Sequence, residues 1–233
     1  MTTVSAPETL ALHTSYLTLD AHHRIVRDAL LDAHLMHRLI MSGWREDIFP
    51  GEEESRASLR ILYALTAGTD HRVRVVAQAN TPPNWHLDTG VLVGDVDQRT
   101  RQAPLAGTIS FQLTAAPHKS VPSTGRTESG ARPRGKKIPL PQAEQEDWGR
   151  KALTRAGLDV LDLNVRPGTG IGSALKSLPA NQRPTPTAVF AHTTIVYTGT
   201  ARITDPGAHR SALTGGIGPA KAYGCGLLLT RTA

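Results

Sequence analysis

The first forty residues change from the hydrophobic pattern of a strand to that of a helix. The run TSYLTL, Thr14 to Leu19, alternates well enough to predict a β-strand. Apolar residues then recur at the spacing of one helix face: Leu31, Leu35, Met36, Leu39 and Ile40. Asp28 or Asp32 can cap this helix, and Gly43 can end it. The pattern therefore predicts a strand followed by an amphipathic helix.

Further strand-like runs follow, and their order suggests a fold. Residues 58–66 and 71–79 have the composition of strands, and 105–115 (LAGTISFQLTA) predicts another. Between them, 81–104 contains proline and has the character of a loop, with no clear helix. The order strand, helix, strand, strand, strand suggests a ferredoxin-like half whose second helix is weak or missing.

A second organised block begins at Pro141. Its predicted elements are a helix over 142–156, a strand over 158–165, a Gly- and Pro-rich stretch over 166–186, a long strand over 187–203, a short helix over 205–213 and a final strand over 225–230. The simplest organisation is two α+β domains, 1–117 and 141–233, joined by a linker over 118–140.

The charge is concentrated in one segment. The chain has 26 Lys and Arg against 20 Asp and Glu, a formal net charge of +6. Residues 118–137 contain six basic residues and one acidic residue, so they hold +5 of this surplus. We interpret this tract as a flexible interdomain or hairpin linker of a kind that often touches RNA. The sign suits a polyanionic partner but does not identify one.

Composition also excludes several classes of protein. No stretch approaches the ~20 apolar residues that a membrane helix needs. Cys225 is the single cysteine, so neither an internal disulfide nor a cysteine-based zinc site is expected. The first 20 residues contain Glu8 and no Lys or Arg, which is unlike a secretory signal. We therefore expect a cytoplasmic protein with no membrane partner.

Two glycine clusters are candidate binding loops. The first, Gly168 to Leu175, superficially resembles a dinucleotide-binding loop, but Ser173 stands where the third glycine belongs, so a flexible hairpin loop is favoured over a nucleotide site. The second, 215–226, includes Gly216, Gly218, Gly224, Gly226 and Lys221. Its amides and lysine could cradle a phosphate, or the glycines could simply let two elements pack closely.

The second cluster closely resembles the glycine-rich loop of the CasE family, the endoribonucleases that process CRISPR RNA in type I-E Cascade complexes. Gly216 to Leu228 supplies every fixed position of the family signature G-I-G-x-x-K-x-x-G-C-G-L-L. Other stretches agree with the family in order: Tyr16-Leu17, Leu35-Met36-His37, Val76 to Gln78, Pro82 with Trp85, Phe111 to Lys119, and Gly135 to Leu140. The resemblance thus covers nearly the whole chain.

The resemblance implies two tandem ferredoxin-like (RRM-like) domains, the first carrying a catalytic helix and the second binding RNA. It implies a metal-independent endoribonuclease, with no cofactor, that cuts CRISPR precursor RNA at the base of the repeat stem-loop. The ribose 2′-hydroxyl attacks the adjacent phosphate and leaves a 2′,3′-cyclic phosphate, and the enzyme stays bound with other Cascade subunits. The alternative is an assembly subunit that binds the RNA hairpin without cutting it.

The catalytic histidine of the family falls on His37, and an imidazole can act as general acid or base because it titrates near neutral pH. Three residues earlier the family usually has tyrosine, whereas this chain has His34, which could replace it or leave the site impaired. The cation that would stabilise the phosphate could be Arg38, Lys119 or Lys221.

The same histidines could instead be interpreted as metal ligands. His22, His23, His34 and His37 would form the cluster. Adjacent His22 and His23 place their side chains apart, and only Asp20 and Asp32 could add a carboxylate. No metal site is therefore predicted.

RNA contact needs positive surface more than any motif. Beyond the three cations named above, the candidates are Arg132, Arg134, Lys136, Lys137, Arg150, Arg155, Arg166 and Lys176. Together they predict a basic stripe in the second half of the chain.

Overall fold

The structure, a computed structural model, describes residues 8–47, 55–68, 70–121, 136–168 and 194–233. These residues form two four-stranded antiparallel sheets and one two-stranded hairpin. Each of the larger sheets has helices packed on one face, and each has the strand order of a ferredoxin-like fold. The predicted α+β class with two tandem ferredoxin-like domains is confirmed.

The first sheet has the strand order β2-β3-β1-β4. Its elements are β1 (Thr9–Asp20), α1 (Arg24–Leu31), α2 (Ala33–Met41), a 3₁₀ helix (Ser42–Asp47), α3 (Ser55–Ser58), β2 (Leu62–Ala67), β3 (Arg72–Ala79) and β4 (Asp97–Pro104). Residues 80–96 contain no helix, as the sequence pattern indicated. The helices α1 and α2 cover one face of the sheet, where Val26, Met36 and Ile40 pack against Leu17 and Val75.

The single helix predicted near Leu35 is divided in two at Asp32. The backbone of Asp32 is extended (φ −127°, ψ 114°), and its side chain accepts a hydrogen bond from the His34 amide at 2.8 Å. Asp32 is thus the N-cap of α2 rather than of the whole helical segment. This cap fixes where α2 begins and so sets the orientation of His34 and His37.

The second sheet has the order β10-β5-β9-β8. Its elements are β5 (Thr108–Ala115), α4 (Gln142–Arg155), β8 (Leu158–Pro167), β9 (Ile195–Ile203), α5 (Pro206–Gly215) and β10 (Leu228–Thr232). Between β5 and α4, β6 (His118–Val121) pairs with β7 (Lys136–Pro139) as a hairpin. Within the part of the chain described, no helix is long and apolar enough to cross a membrane.

The pairing of β4 and β5 differs from the sequence-based organisation. β4 lies in a stretch expected to be loop, because its sequence DQRTRQAP has little apolar alternation and it forms an exposed edge of the first sheet. β5, expected to close the domain 1–117, instead lies between β9 and β10 in the second sheet. Residues 118–121 and 136–139 are therefore an insertion between the first strand and first helix of the second fold, rather than a link between the folds.

The two folds contact each other through the sheet faces that the helices leave open. Leu62 and Ala64 of β2 pack with Leu227 in a small apolar cluster. Beside it, the Gln78 side-chain amide donates to the Leu213 carbonyl at 2.8 Å. Since Gln78 is buried, this hydrogen bond satisfies its side-chain nitrogen, which would otherwise destabilise the interface.

Helix α4 approaches its sheet so closely that only glycine fits at 149. A Cβ there would lie 2.6 Å from Cδ1 of Tyr197, whose hydroxyl donates to the Gln145 carbonyl at 2.8 Å. We expect Gly149→Ala to lower the free energy of unfolding by about 1–3 kcal/mol through overpacking. Gly215→Ala is the matched control, because its Cβ would meet nothing nearer than Arg60 Nη1 at 3.7 Å. Urea denaturation of both variants measures the difference; equal stabilities would contradict the packing described.

Candidate active site

His34 and His37 lie on one face of α2, next to the side that packs into the core. Ala33, Met36 and Ile40 of the helix are buried, which fixes its rotation against the sheet. His34 is exposed and His37 is half-buried. Because residues three apart share a helix face, the two imidazoles point toward the same surface.

The glycine-rich loop comes from the second fold and lies against this helix. At its centre, Lys221–Tyr223 form a 3₁₀ turn. The Tyr63 hydroxyl of β2 donates to the Ala222 carbonyl at 2.8 Å. A Cβ on Gly224 would lie 2.9 Å from Leu65 Cδ1, and one on Gly226 would lie 2.9 Å from the Ile217 carbonyl. Both glycines also have positive φ angles, so the loop needs glycine for its conformation and its close approach.

Contacts between helix and loop join the two parts of the site. The His34 and Tyr223 rings meet edge to face, with centroids 5.4 Å apart and planes at 88°. The Ala222 carbonyl lies within hydrogen-bonding reach of the His37 imidazole. Residues separated by most of the chain thus form one surface, which contains the two histidines of α2 and the glycine-rich loop.

Three cations surround this surface: Arg56, Arg60 and Lys221. Arg56 Nη1 donates to the Ile61 carbonyl at 3.0 Å, which holds the guanidinium beside β2. Burial lowers the pKa of Lys221, and the charges of Arg56 and Arg60 lower it further. No carboxylate of the described residues acts on the pKa of Lys221 or Arg56. A cluster of positive charges of this kind attracts a phosphate.

Burial is the main reason that the pKa of His37 is lowered, and the positive charges of Arg56 and His34 act in the same direction. The Ala222 carbonyl opposes them with a smaller effect. His37 Nδ1 is buried and has no hydrogen-bond partner among the described residues. At neutral pH the imidazole is therefore mainly neutral and able to accept a proton.

The other predicted residues lie away from this surface or outside the described ranges. Arg38 lies with Leu35 beside a different cavity of about 410 Å³, and Lys119 Nζ pairs with Glu144 Oε1 at 3.1 Å. Of the three proposed phosphate cations, Lys221 is thus the one that lies in the loop contacting α2. Arg132, Arg134, Lys176 and the Lys136 side chain are outside the described residues.

The remaining RNA-binding candidates line exposed parts of the second fold. Lys137 is exposed on β7, and Arg166 is exposed on β8. On α4, Arg150 pairs with Glu146 at 3.0 Å and Arg155 donates to the Lys151 carbonyl at 3.2 Å. Their contact with RNA stays a prediction.

The structure gives no support to a metal site at the histidines. The His22 ring contacts the His71 ring, with centroids 4.3 Å apart and planes tilted by 44°. Among the described residues no group of three His, Cys, Asp or Glu side chains could hold a metal ion. Burial raises the pKa of Cys225 to about 12, so this thiol stays protonated.

Sequence reasoning missed Arg56, Arg60, Tyr63 and Tyr223. Tyr223 lies inside the recognised glycine-rich loop at a variable position, so only its contact with His34 singles it out. The arginines occur in the run SRASLRI, which has no motif. Arg60 has a left-handed backbone (φ 56°), an unusual conformation for a residue with a side chain.

The fold and the histidine–cation surface define a protein built from two ferredoxin-like domains with one shared site. The model of a family described as CRISPR associated protein matches residues 12–231. The chain therefore belongs to this family of CRISPR-associated proteins, and the resemblance to the CasE family is confirmed.

Solved structures with the same fold agree with this assignment. Cse3 of Thermus thermophilus, bound to an RNA representing a pre-cleavage complex, is 22% identical with a TM-score of 0.69, covering 95% of this chain and 100% of that one. The CRISPR-associated protein Cas6e of Escherichia coli K-12 is 22% identical with a TM-score of 0.59 and the same coverage. A chain of a CRISPR RNA-guided surveillance complex is 22% identical with a TM-score of 0.58, again at 95% and 100% coverage. No curated protein sequence matches the chain significantly.

The position of Arg56 predicts how His37 titrates. Replacing Arg56 with glutamine removes a positive charge that disfavours the imidazolium, so Arg56→Gln should raise the pKa of His37. Titration of the His37 ring by NMR measures the shift. Arg60→Gln is the matched control, since Arg60 acts on the pKa of Lys221 and is not among the groups that shift His37. An unchanged or lower His37 pKa in Arg56→Gln would contradict this electrostatic contact.

Proposed function

We propose that the protein is a metal-independent endoribonuclease that cuts CRISPR precursor RNA at the base of the repeat stem-loop. The observation that carries the proposal is the meeting of His37 with the glycine-rich loop, within a cluster of three cations. Family membership supports it, as do structural relatives described as a CRISPR endoribonuclease bound to RNA and as part of an RNA-guided surveillance complex. By the same similarity, the product stays bound and the protein acts as a Cascade subunit.

The reaction we propose is the one that the resemblance to the CasE family implies, and the groups at the site suit it. The ribose 2′-oxygen attacks the adjacent phosphorus, a P–O2′ bond forms as the P–O5′ bond breaks, and the product carries a 2′,3′-cyclic phosphate and a 5′-hydroxyl. His37, neutral in the free protein, accepts the 2′-hydroxyl proton. A second group returns a proton to O5′, and Arg56, Arg60 and Lys221 offset the charge that builds on the phosphate.

His34 is the candidate for the second proton-transfer group, and Tyr223 lies against it. The family usually has tyrosine at position 34 of this chain. The phenol of Tyr223, which comes from the loop, would lie close to the position of that tyrosine. The contact admits two arrangements: His34 exchanges the proton itself, or it orients the Tyr223 hydroxyl. Substitutions at the two positions distinguish them.

The RNA stem would lie across the second fold from this site. Lys119 and Lys137 sit on the β6–β7 hairpin, while Arg150, Arg155 and Arg166 lie on α4 and β8. Exposed cations of this kind contact phosphates without reading sequence, which suits recognition of an A-form stem by shape. Arg132, Arg134, Lys136 and Lys176 complete the proposed set.

The alternative function is a subunit that binds the RNA hairpin without cutting it. The observation that favours it is His34, which replaces the tyrosine that the family usually has. A binding subunit would keep the basic surface and lose cleavage. Activity toward a stem-loop RNA decides between the two functions.

The first test removes the proposed proton acceptor. We expect His37→Ala to lower the cleavage rate of a repeat stem-loop RNA by at least about 100-fold with RNA affinity retained, because general acid–base groups contribute about 10²–10⁴. Cleavage is measured with excess chelator present. His86→Ala, which changes an exposed histidine at the other cavity, is the control and should cut normally. Unchanged cleavage in His37→Ala would overturn the site assignment, and loss of wild-type cleavage in chelator would overturn metal independence.

A second test assigns the role of His34. If His34 exchanges the proton, His34→Ala should lose cleavage while Tyr223→Phe keeps it, because the phenyl ring preserves the edge-to-face contact. If Tyr223 supplies the hydroxyl, Tyr223→Phe should lose cleavage as well. Adding His34→Tyr to the Tyr223→Phe variant should then restore cleavage. Single-turnover rates and RNA affinity are measured for each variant. Full activity in both His34→Ala and Tyr223→Phe would remove the pair from the mechanism.

A further inference from the structure

The cavity beside Arg38 has no part in the proposed reaction. It lies between α1, α2 and residues 80–96 and has a volume of about 410 Å³. Among the described residues, none from the glycine-rich loop lines it, so it is separate from the histidine–cation surface. Spaces of this size are typical of pockets that hold a small molecule.

Helix α2 lies between this cavity and the candidate active site. His34 and His37 are on one side of the helix, whereas Leu35 and Leu39 line the cavity. Arg38 follows His34 by one turn, so the two side chains are neighbours on the helix surface. Arg38 also lines the cavity. A strand of RNA that crosses α2 at the histidines would therefore pass the mouth of the cavity.

The apolar part of the lining suits a flat ring. Leu39 and Leu87 are half-buried, and Val91 is buried. Leu35 is 38% exposed, one of three large apolar side chains that are exposed in the described part of the chain. Burial of this surface against an apolar ligand is favourable. The faces of a nucleobase have the required character, because each base has a π-face that packs on apolar groups.

The polar part of the lining offers a positive and a negative charge that are not paired with each other. Arg38 and Asp88 are both exposed. Within the part of the chain that the structure describes, neither side chain makes an ion pair or a hydrogen bond. Asp28, the other acid of the lining, has Oδ1 at 3.9 Å from Arg27 Nε. Arg38 is thus available to an anion and Asp88 to N–H donors.

We propose that this cavity binds a guanine nucleotide, with the base against the leucines, its N–H groups at Asp88 and its phosphate at Arg38. A carboxylate accepts two parallel hydrogen bonds, and guanine presents adjacent N1–H and N2–H donors on its Watson–Crick edge. Adenine and cytosine have a ring acceptor beside their amine, and uracil has a carbonyl on each side of its N–H. Each of these would direct an acceptor at the carboxylate.

The nucleotide has two possible sources with the same chemistry. It is either an unpaired residue of bound RNA or a free mononucleotide. The first source rests on the proposed function, and the second does not. Unpaired bases are the part of an RNA that a protein can read on the Watson–Crick edge, so the cavity is distinct from stem binding.

Binding is tested on the full chain by NMR, with guanosine 5′-monophosphate titrated at constant ionic strength. We expect saturable shifts at the backbone amides of Leu35, Arg38 and Asp88. Inosine 5′-monophosphate lacks the 2-amino group and should bind about tenfold more weakly, because one hydrogen bond to the carboxylate is lost. Guanosine should also bind more weakly, since it lacks the phosphate that Arg38 holds.

Two variants assign these contacts. Asp88→Asn should weaken binding of guanosine monophosphate about tenfold and remove most of its advantage over inosine monophosphate. Asp95→Asn changes an exposed acid of the same segment outside the lining, so it should bind normally. Arg38→Gln should lose the preference for the phosphorylated nucleoside, whereas Arg24→Gln, an exposed position on α1, should keep it.

A competition experiment separates the two sources. If RNA supplies the nucleotide, an unstructured RNA tetranucleotide with one guanine displaces guanosine monophosphate; if it does not, the ligand is the free mononucleotide. Absence of saturable shifts with both probes overturns the proposal, as does equal affinity for guanosine and inosine monophosphates. None of these measurements depends on cleavage, so failure of this site and failure of the nuclease function are separate results.

Discussion

The hydrogen bond from the Tyr63 hydroxyl to the Ala222 carbonyl, 2.8 Å long, joins a strand of the first fold to the glycine-rich loop of the second. Burial raises the pKa of Tyr63 far above its ordinary value, so the phenol keeps its proton and the bond persists at every working pH. Around it, Gly224 and Gly226 let the loop approach without side-chain overlap. Without this docking, Lys221 and Tyr223 would not face α2, and neither fold alone would contain the site.

How far the sequence predicts the site depends on whether its signals are local. The helix spacing around His37, the Asp32 cap and the glycine-rich signature are short-range patterns, and the structure places them together. The contribution of Arg56 depends on how α3 and β2 pack against α2, which no spacing in the sequence records. The same reason applies to β5. Its sequence predicts a strand, but its pairing with β9 and β10 depends on tertiary structure. β4 was not predicted from the sequence, because an exposed edge strand needs little apolar alternation.

Electrostatics at the site favour a bound phosphate over the empty protein. The charges of Arg56 and Arg60 repel that of Lys221, and the partial burial of Arg56 and Lys221 limits the water that could screen these two. This arrangement is unfavourable for the free protein, and the left-handed backbone of Arg60 adds local strain at the same place. A phosphate would relieve the repulsion and also favour protonation of His37, because an anion stabilises the imidazolium. In the proposed reaction, the cations that would bind the phosphate therefore also adjust the pKa of His37, the proposed proton acceptor.

The interface between the folds relates this chemistry to the architecture. An apolar cluster of Leu62, Ala64 and Leu227 lies between the sheets, with the Gln78–Leu213 bond from β3 to α5 and the Arg101–Thr230 bond from β4 to β10. These bonds start from different strands of the first sheet, so together they resist rotation of one fold against the other as well as separation. Rotation would move the glycine-rich loop along α2 and change the distance between Lys221 and His37. Since misplacement of reacting groups by about 1 Å can cost 100-fold in rate, an interface that resists rotation is a requirement of the two-domain site rather than a consequence of packing alone.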